Sequence, residues 1–309
     1  MTPKRQPTDR RPRRRAFSPS PTALEPRWTL SVVAGSAIAE RRAGQSHHSA
    51  QVHIIRDVVY RDVPGDRQVI DLYLPPGPPP RGGRPVIVAI HGGGWRKFSK
   101  EEYEPTVAPL ANLGFIVAVP DYRLSRPASP TWPINLAEVR DAVRWVRAHA
   151  GETGANPNRI AAMGESAGGH LAAMLGTDLE ASSTSARVQA VVDFYGPSDL
   201  AALDATSPAA SGPIRQYLGA APAQNPATYA DASPVTHVSA DNPPFLIVQG
   251  TADTVVTPSQ SQELSATLSR AGVANRLVIV PGASHGFRLQ HGLLNEVASF
   301  LVAAMPAAN

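Results

Sequence analysis

From Gln51 onward the chain is a succession of short apolar runs separated by polar or helical stretches. The first two, VHIIRDVVYRD and RQVIDLYLP, partly alternate apolar and polar residues and are dominated by Val, Ile and Tyr. That pattern predicts two antiparallel strands. A Pro/Gly loop, PPGPPPRGG, follows. The next runs, RPVIVAIHG, FIVAVPDYR, RIAAMGES, VQAVVDFYG, PPFLIVQG and NRLVIVPG, are continuously apolar, as expected for strands buried on both faces of a parallel sheet. Between the second and third of these, Leu136, Val139, Val143, Val146 and Ala150 recur at helical spacing. The charged Glu138, Arg140, Asp141, Arg144 and Arg147 fall mostly between them, so the segment reads as a crossover helix with one face on the sheet.

Apolar strands alternating with helices after an initial hairpin predict a doubly wound α/β domain, mostly parallel, with helices on both faces. The rhythm breaks from Pro197 to Asp241, a stretch rich in Ala, Pro and Ser with a short helix expected at PIRQYLGA. This reads as a small insertion, or cap, over the sheet edge, which would shape a pocket beyond the carboxyl ends of the strands. The domain division is a tail over residues 1–50 and a folded domain over residues 51–309.

Composition narrows the picture. Of 309 residues, 42% are hydrophobic and 17% charged, which supplies a sizeable core and too little charge for general disorder. The formal charge of +4 comes from the start of the chain, where Lys4, Arg5, Arg10, Arg11, Arg13, Arg14 and Arg15 crowd together. They read as a solvated tail, and no nucleic-acid role is expected. The absence of cysteine excludes disulfides, thiolate metal sites and a cysteine nucleophile. No run approaches the roughly 18 apolar residues that span a bilayer, so no integral membrane segment is expected. Trp28 to Ala39 is a short apolar run after a basic block, and Ala37-Ile38-Ala39 has the form of a cleavage site. Glu25 and several prolines separate the two, so a cytoplasmic location is the expectation and export the alternative.

The chemistry centres on Gly164-Glu165-Ser166-Ala167-Gly168, where the strand RIAAM ends and the helical HLAAMLG begins. A sharp strand-to-helix turn forces its central residue into a strained conformation, and glycines two positions away remove the bulk that would block it. The hydroxyl of Ser166 is then held out over the sheet, beside a helix amino terminus whose field favours a developing anion. A second glycine cluster, His91-Gly92-Gly93-Gly94-Trp95, follows the strand RPVIVAI directly. Its backbone can approach a ligand closely, so the N–H groups of Gly93 and Gly94, with that of Ala167, form a candidate oxyanion hole. A phosphate loop is the competing reading, but no Lys-Ser/Thr pair or G-x-G-x-x-G spacing accompanies it.

Serine needs a base, and the base needs an orienting group. Asp253 lies just past the strand PPFLIV and His285 just past NRLVIV, so both leave the carboxyl edge of the sheet on the side of Ser166. These three are the candidate catalytic residues, with His285 as base and Asp253 fixing its tautomer. His291 and Asp199 compete for the two roles. His47, His48, His53, His149 and His237 make no metal spacing. Trp95 either packs under the glycine loop or lines the acyl pocket, and Glu165 borders the substrate while making an orienting hydrogen bond. Asp121, Arg123 and Asp141 are expected to form a polar network between a strand end and the crossover helix. His170 is read as a packing or capping residue.

Taken together, HGGGW, DYRLS, GESAGGHLAAM, GTADTVV and SHGF resemble the bacterial α/β-hydrolase esterases related to hormone-sensitive lipase and to the BD-FAE-like feruloyl and acetyl esterases. The resemblance implies the α/β-hydrolase fold and a serine carboxylesterase acting through an acyl-enzyme on small esters with short acyl or aryl groups, without a cofactor. Tyr122-Arg123-Leu124-Ser125-Arg126-Pro127 departs from the YRLAPE usual near hormone-sensitive lipase, which favours the BD-FAE side. HGGxW also resembles kynurenine formamidase, leaving an amidase as the alternative. A non-catalytic binding module on the same scaffold is the third reading, disfavoured by the presence of every triad residue type.

Overall fold

The computed structural model describes residues 51–178, 185–287, 289 and 291–307. The tail over residues 1–50, with its basic block and the apolar run Trp28–Ala39, lies outside the described residues, and so do His47 and His48. The chain opens with β1 (His53–Val63) and β2 (Asp66–Leu74), an antiparallel hairpin closed by Pro64 and Gly65. There follow β3 (Arg84–Ile90), α1 (Lys100–Asn112), β4 (Ile116–Pro120), α2 (Ile134–Ala148) and the single turn α3 (Ala150–Thr153). Then come β5 (Ala155–Glu165), α4 (Ala167–Thr177), β6 (Ala190–Phe194), α5 (Leu200–Thr206), α6 (Pro208–Leu218) and α7 (Pro226–Asp231). The chain ends with β7 (Phe245–Gly250), α8 (Pro258–Arg270), β8 (Asn275–Val280) and α9 (His291–Ala304).

The eight strands form one sheet in the order β1-β2-β4-β3-β5-β6-β7-β8. β1 and β2 join antiparallel, and from β4 to β8 every pairing is parallel. Two apolar layers cover it. One carries α2, α4 and α8, and the other α1 and α9. β3, β4, β6 and β7 are almost wholly Val, Ile, Ala, Leu and Phe because both of their faces meet these helices. β8 departs from the expectation: as the last strand it has one covered flank, and its residues alternate between half-buried and exposed, with Ile279 open to solvent.

The amphipathic segment forms α2 as its spacing predicts, with Leu136, Val139, Val143 and Val146 buried. Ala150 falls in the next turn, α3. Glu138, expected on the outer face, is fully buried. It accepts the Arg123 backbone N–H at 2.6 Å and faces Asp66, so burial and the neighbouring carboxyl push it up to about 8. Asp66 in turn takes Arg123 at 2.7 Å and Arg61 at 2.6 Å. This corrects the expected Asp121–Arg123–Asp141 network. Arg123 does join the strand end to the helix, but through Glu138 and Asp66. Asp141 pairs with Arg61 and Arg144, and Asp121 accepts the Lys100 backbone N–H on the far side.

The insertion lies where the sequence places it, at the carboxyl edge of the sheet, with more helix than expected. It holds α5 and α7 in addition to the expected helix at PIRQYL, and it packs on the segments that follow β3, β4, β5 and β7. Tyr217 of α6 stacks on Trp95 and donates to Asn135, Trp132 donates to Asp231, and Ser207 donates to the Val255 carbonyl. The insertion thereby roofs the carboxyl ends of the inner strands.

Candidate active site

Register positions the reacting groups. Parallel pairing sets Ile90 beside Gly164, Glu165 beside Phe194, and Gly250 beside Val280, so the loops leaving β3, β5, β7 and β8 emerge from one edge. At the end of β5 the chain turns into α4 with Ser166 at φ 54° and ψ −118°, a strained region for a residue with a side chain. The turn depends on its glycines. A Cβ on Gly164 would lie 2.2 Å from the Gly168 carbonyl oxygen, and one on Gly168 would lie 2.1 Å from that of Ile90.

The loops after β7 and β8 are sewn to each other. Ala252 N–H donates to the Ala283 carbonyl at 2.9 Å, and Gly282 N–H donates to the Thr251 hydroxyl at 2.8 Å. This brings Asp253 and His285 together with Ser166. His285 Nδ1 lies 2.8 Å from Asp253 Oδ2, and His285 Nε2 lies 2.9 Å from Ser166 Oγ. The other carboxylate oxygen, Oδ1, accepts the Val255 and Val256 N–H groups at 2.9 Å each. With Asp253 as acceptor, the ring carries its proton on Nδ1, which leaves Nε2 free to accept from the serine hydroxyl. Of the competitors, Asp199 caps α5 by accepting the Ala202 N–H, and His291 is the first residue of α9.

Gly93 and Gly94 both take positive φ, 112° and 61°. A Cβ on Gly93 would collide with the Lys97 carbonyl oxygen at 2.0 Å. Among the described residues neither of their N–H groups donates to a protein acceptor. Ala167, the first residue of α4, adds an N–H with no preceding turn to receive it. Behind the loop, burial pushes the His91 imidazole down to about 4, so it is neutral where it stacks on Tyr122.

Trp95 packs behind the glycine loop and also borders the cavity. It is 2% exposed, stacks on Tyr217 with centroids 4.3 Å apart, and donates from Nε1 to His170 Nδ1 at 3.3 Å. His170 completes the relay by donating from Nε2 to the Ala232 carbonyl at 2.7 Å, and burial holds its ring neutral, near 4. Its role is therefore to tie the insertion to α4. Glu165 borders the cavity and lies against Tyr195. Burial and this carboxylate keep the Tyr195 phenol protonated far above its usual range. Tyr195 carried no signal in the sequence beyond the glycine after it.

These groups open into a cavity of about 560 Å³. Its walls include Ser166, His285, Gly93 and Gly94, Tyr195, and Pro213 and Ile214 of the insertion. Among the described residues no cluster of three or more His, Asp or Glu could hold a metal ion, and no helix is long and apolar enough to cross a membrane.

A sheet in this order, with a strained serine between β5 and α4 and a histidine–aspartate pair from the last two strand ends, defines an α/β-hydrolase. The chain belongs to the BD-FAE family, whose profile matches residues 70–268. It is 37% identical over 226 residues to LipM of Mycobacterium tuberculosis, a probable carboxylic ester hydrolase, covering 66% of this chain and 52% of LipM. It thus spans about half the length of that curated relative. Among solved structures, a truncated carbohydrate esterase from gut microbiota superposes with a TM-score of 0.74 at 28% identity, covering 84% of this chain and 98% of that one. Propionate-bound Est2 of Thermogutta terrifontis, an esterase, gives 0.66 at 30% identity, covering 84% and 96%.

Proposed function

We propose that this protein is a serine carboxylic ester hydrolase that works through an acyl-enzyme on small esters with short acyl or aryl groups. The observation that carries the reading is the unbroken chain from Ser166 Oγ through His285 to Asp253, at 2.9 and 2.8 Å. His285 Nε2 takes the serine proton as Oγ attacks the ester carbonyl, and Asp253 stabilises the imidazolium that forms. The N–H groups of Gly93, Gly94 and Ala167 receive the negative oxygen, and each such donor contributes about 100-fold or more to turnover. His285 then protonates the departing alcohol, and water repeats the cycle on the acyl-enzyme.

The cavity of about 560 Å³ suits a small ester, and the ester-hydrolase names of the relatives point the same way. The expected result is labelling by a fluorophosphonate that Ser166→Ala abolishes, with 4-nitrophenyl acetate or butyrate cleaved faster than the palmitate ester. An unlabelled, folded protein would overturn the reading, and faster palmitate cleavage would overturn the short-acyl part.

A further inference from the structure

The loop that carries Gly93 and Gly94 continues as Arg96, Lys97 and Phe98, all exposed and all bordering the cavity. The charges around that cavity are unequally engaged. Glu102 accepts both the backbone N–H and the hydroxyl of Ser99, Glu165 lies against Tyr195, and Asp253 holds His285 and two backbone N–H groups. Arg96 and Lys97, by contrast, make no ion pair among the described residues. The Lys97 ammonium sits 4.8 Å above the centre of the Phe98 ring. Phe98 is 49% exposed at φ 72°, a costly conformation for a bulky residue and one that tends to mark functional segments. Its Cδ2 lies 3.0 Å from where a Cβ on Gly93 would stand, so the ring presses on the glycine that faces the reacting centre.

We propose that Arg96 and Lys97, the latter seated on Phe98, are specificity-determining residues that recognise a carboxylate carried by the ester substrate. The inference rests on the reading of this chain as a serine ester hydrolase. A carboxylate entering the cavity finds free donors on both cations, whereas the cavity's own carboxylates are already occupied. The pairs form at an exposed rim, so the gain is modest, about fivefold in kcat/KM, and falls with salt.

The test uses the full chain and two matched pairs of esters. 4-Nitrophenyl butyrate against mono-4-nitrophenyl succinate exchanges a terminal methyl for a carboxylate on the acyl side. Phenyl acetate against 4-acetoxybenzoate adds a carboxylate on the alcohol side. The expected result is an anionic-to-neutral ratio of kcat/KM of about five in at least one pair at low salt. It should fall toward one near 1 M sodium chloride, where the screening length is about 3 Å. The double variant Arg96→Gln, Lys97→Gln should lower the same ratio about as far, whatever it does to absolute rates. A ratio at or below one in both pairs, or a ratio that neither salt nor the double variant moves, overturns the inference while leaving the esterase reading intact. Failure to hydrolyse all four esters, with no fluorophosphonate labelling, sinks both.

Discussion

The hydroxyl of Tyr195 donates to the backbone carbonyl of Phe287 at 3.1 Å, two residues beyond His285. The same ring meets His285 edge-on, 5.0 Å between centroids, and Phe287 at 4.8 Å. Tyr195 itself is held at φ 44°, a left-handed conformation that a tyrosine adopts only under constraint. It therefore braces the loop bearing the proposed base against the end of β6. Tyr195→Phe keeps the ring contacts and removes the hydroxyl, with its hydrogen bond to the Phe287 carbonyl, worth about 1 kcal/mol net, and its contact with Glu165. The expected outcome is a kcat several-fold lower with KM little changed, read from steady-state kinetics on a 4-nitrophenyl ester. An unchanged kcat would show that ring packing alone holds the loop.

Asp253→Asn tests the orienting role directly. The amide can present a donor toward His285 Nδ1, which selects the tautomer unable to accept from Ser166. Turnover should fall about 1,000-fold or more while fluorophosphonate labelling slows in parallel. A loss under tenfold would remove Asp253 from the proposed mechanism.

The turn that carries Ser166 is expected to tolerate no side chain at Gly168. A Cβ there meets the Ile90 and His91 carbonyl oxygens, which belong to the backbone at the end of β3 and cannot rotate away. Gly168→Ala should cost about 3 kcal/mol or more in urea unfolding and abolish labelling of Ser166. Gly151→Ala is the control, because nothing lies within 4 Å of its Cβ position and stability should be nearly unchanged.

Asp193 gives a pH dependence with a defined sign. It is fully buried at the end of β6, and burial pushes it up to about 7 even though Oδ1 accepts the Gly196 N–H at 2.8 Å. Its Oδ2 has no hydrogen-bond partner among the described residues. The folded pKa exceeds the unfolded value of 3.8, so the protonated acid's contribution is complete below pH 4 and lost as pH rises toward 7. Asp193→Asn keeps the acceptor for Gly196 and cannot ionise. Its stability relative to the parent should therefore rise by at least about 1 kcal/mol between pH 4 and pH 7.5, measured by urea unfolding. A flat difference across that window would mean that Asp193 stays ionised in the folded state.

Much of this protein is determined within a few residues of chain. Five of the six continuous apolar runs specify buried strands because no other placement hides them from water. The glycines around Ser166 and at Gly93 announce sharp turns because only glycine clears the backbone oxygens that crowd those positions, while Gly94 is suited by its positive φ. Asp253 and His285 are legible because the order of apolar strands places the residues after each one at a common edge.

Tertiary structure decided whatever depended on partners far along the chain. Glu138 looks solvent-facing by helical spacing, yet β1 and β2 return to bury it beside Asp66, more than 60 positions away. Trp95 found its partners in Tyr217 and His170, and the insertion acquired its place over the inner strands through those same rings. β8 is half exposed because, among the described residues, it is the last strand of the sheet. Tyr195 became a brace only when β6 and the β8 loop met. In each case the local sequence sets the backbone path, but the free energy of burying a polar or aromatic side chain depends on which distant groups arrive to satisfy it, and that becomes defined only when the sheet has closed.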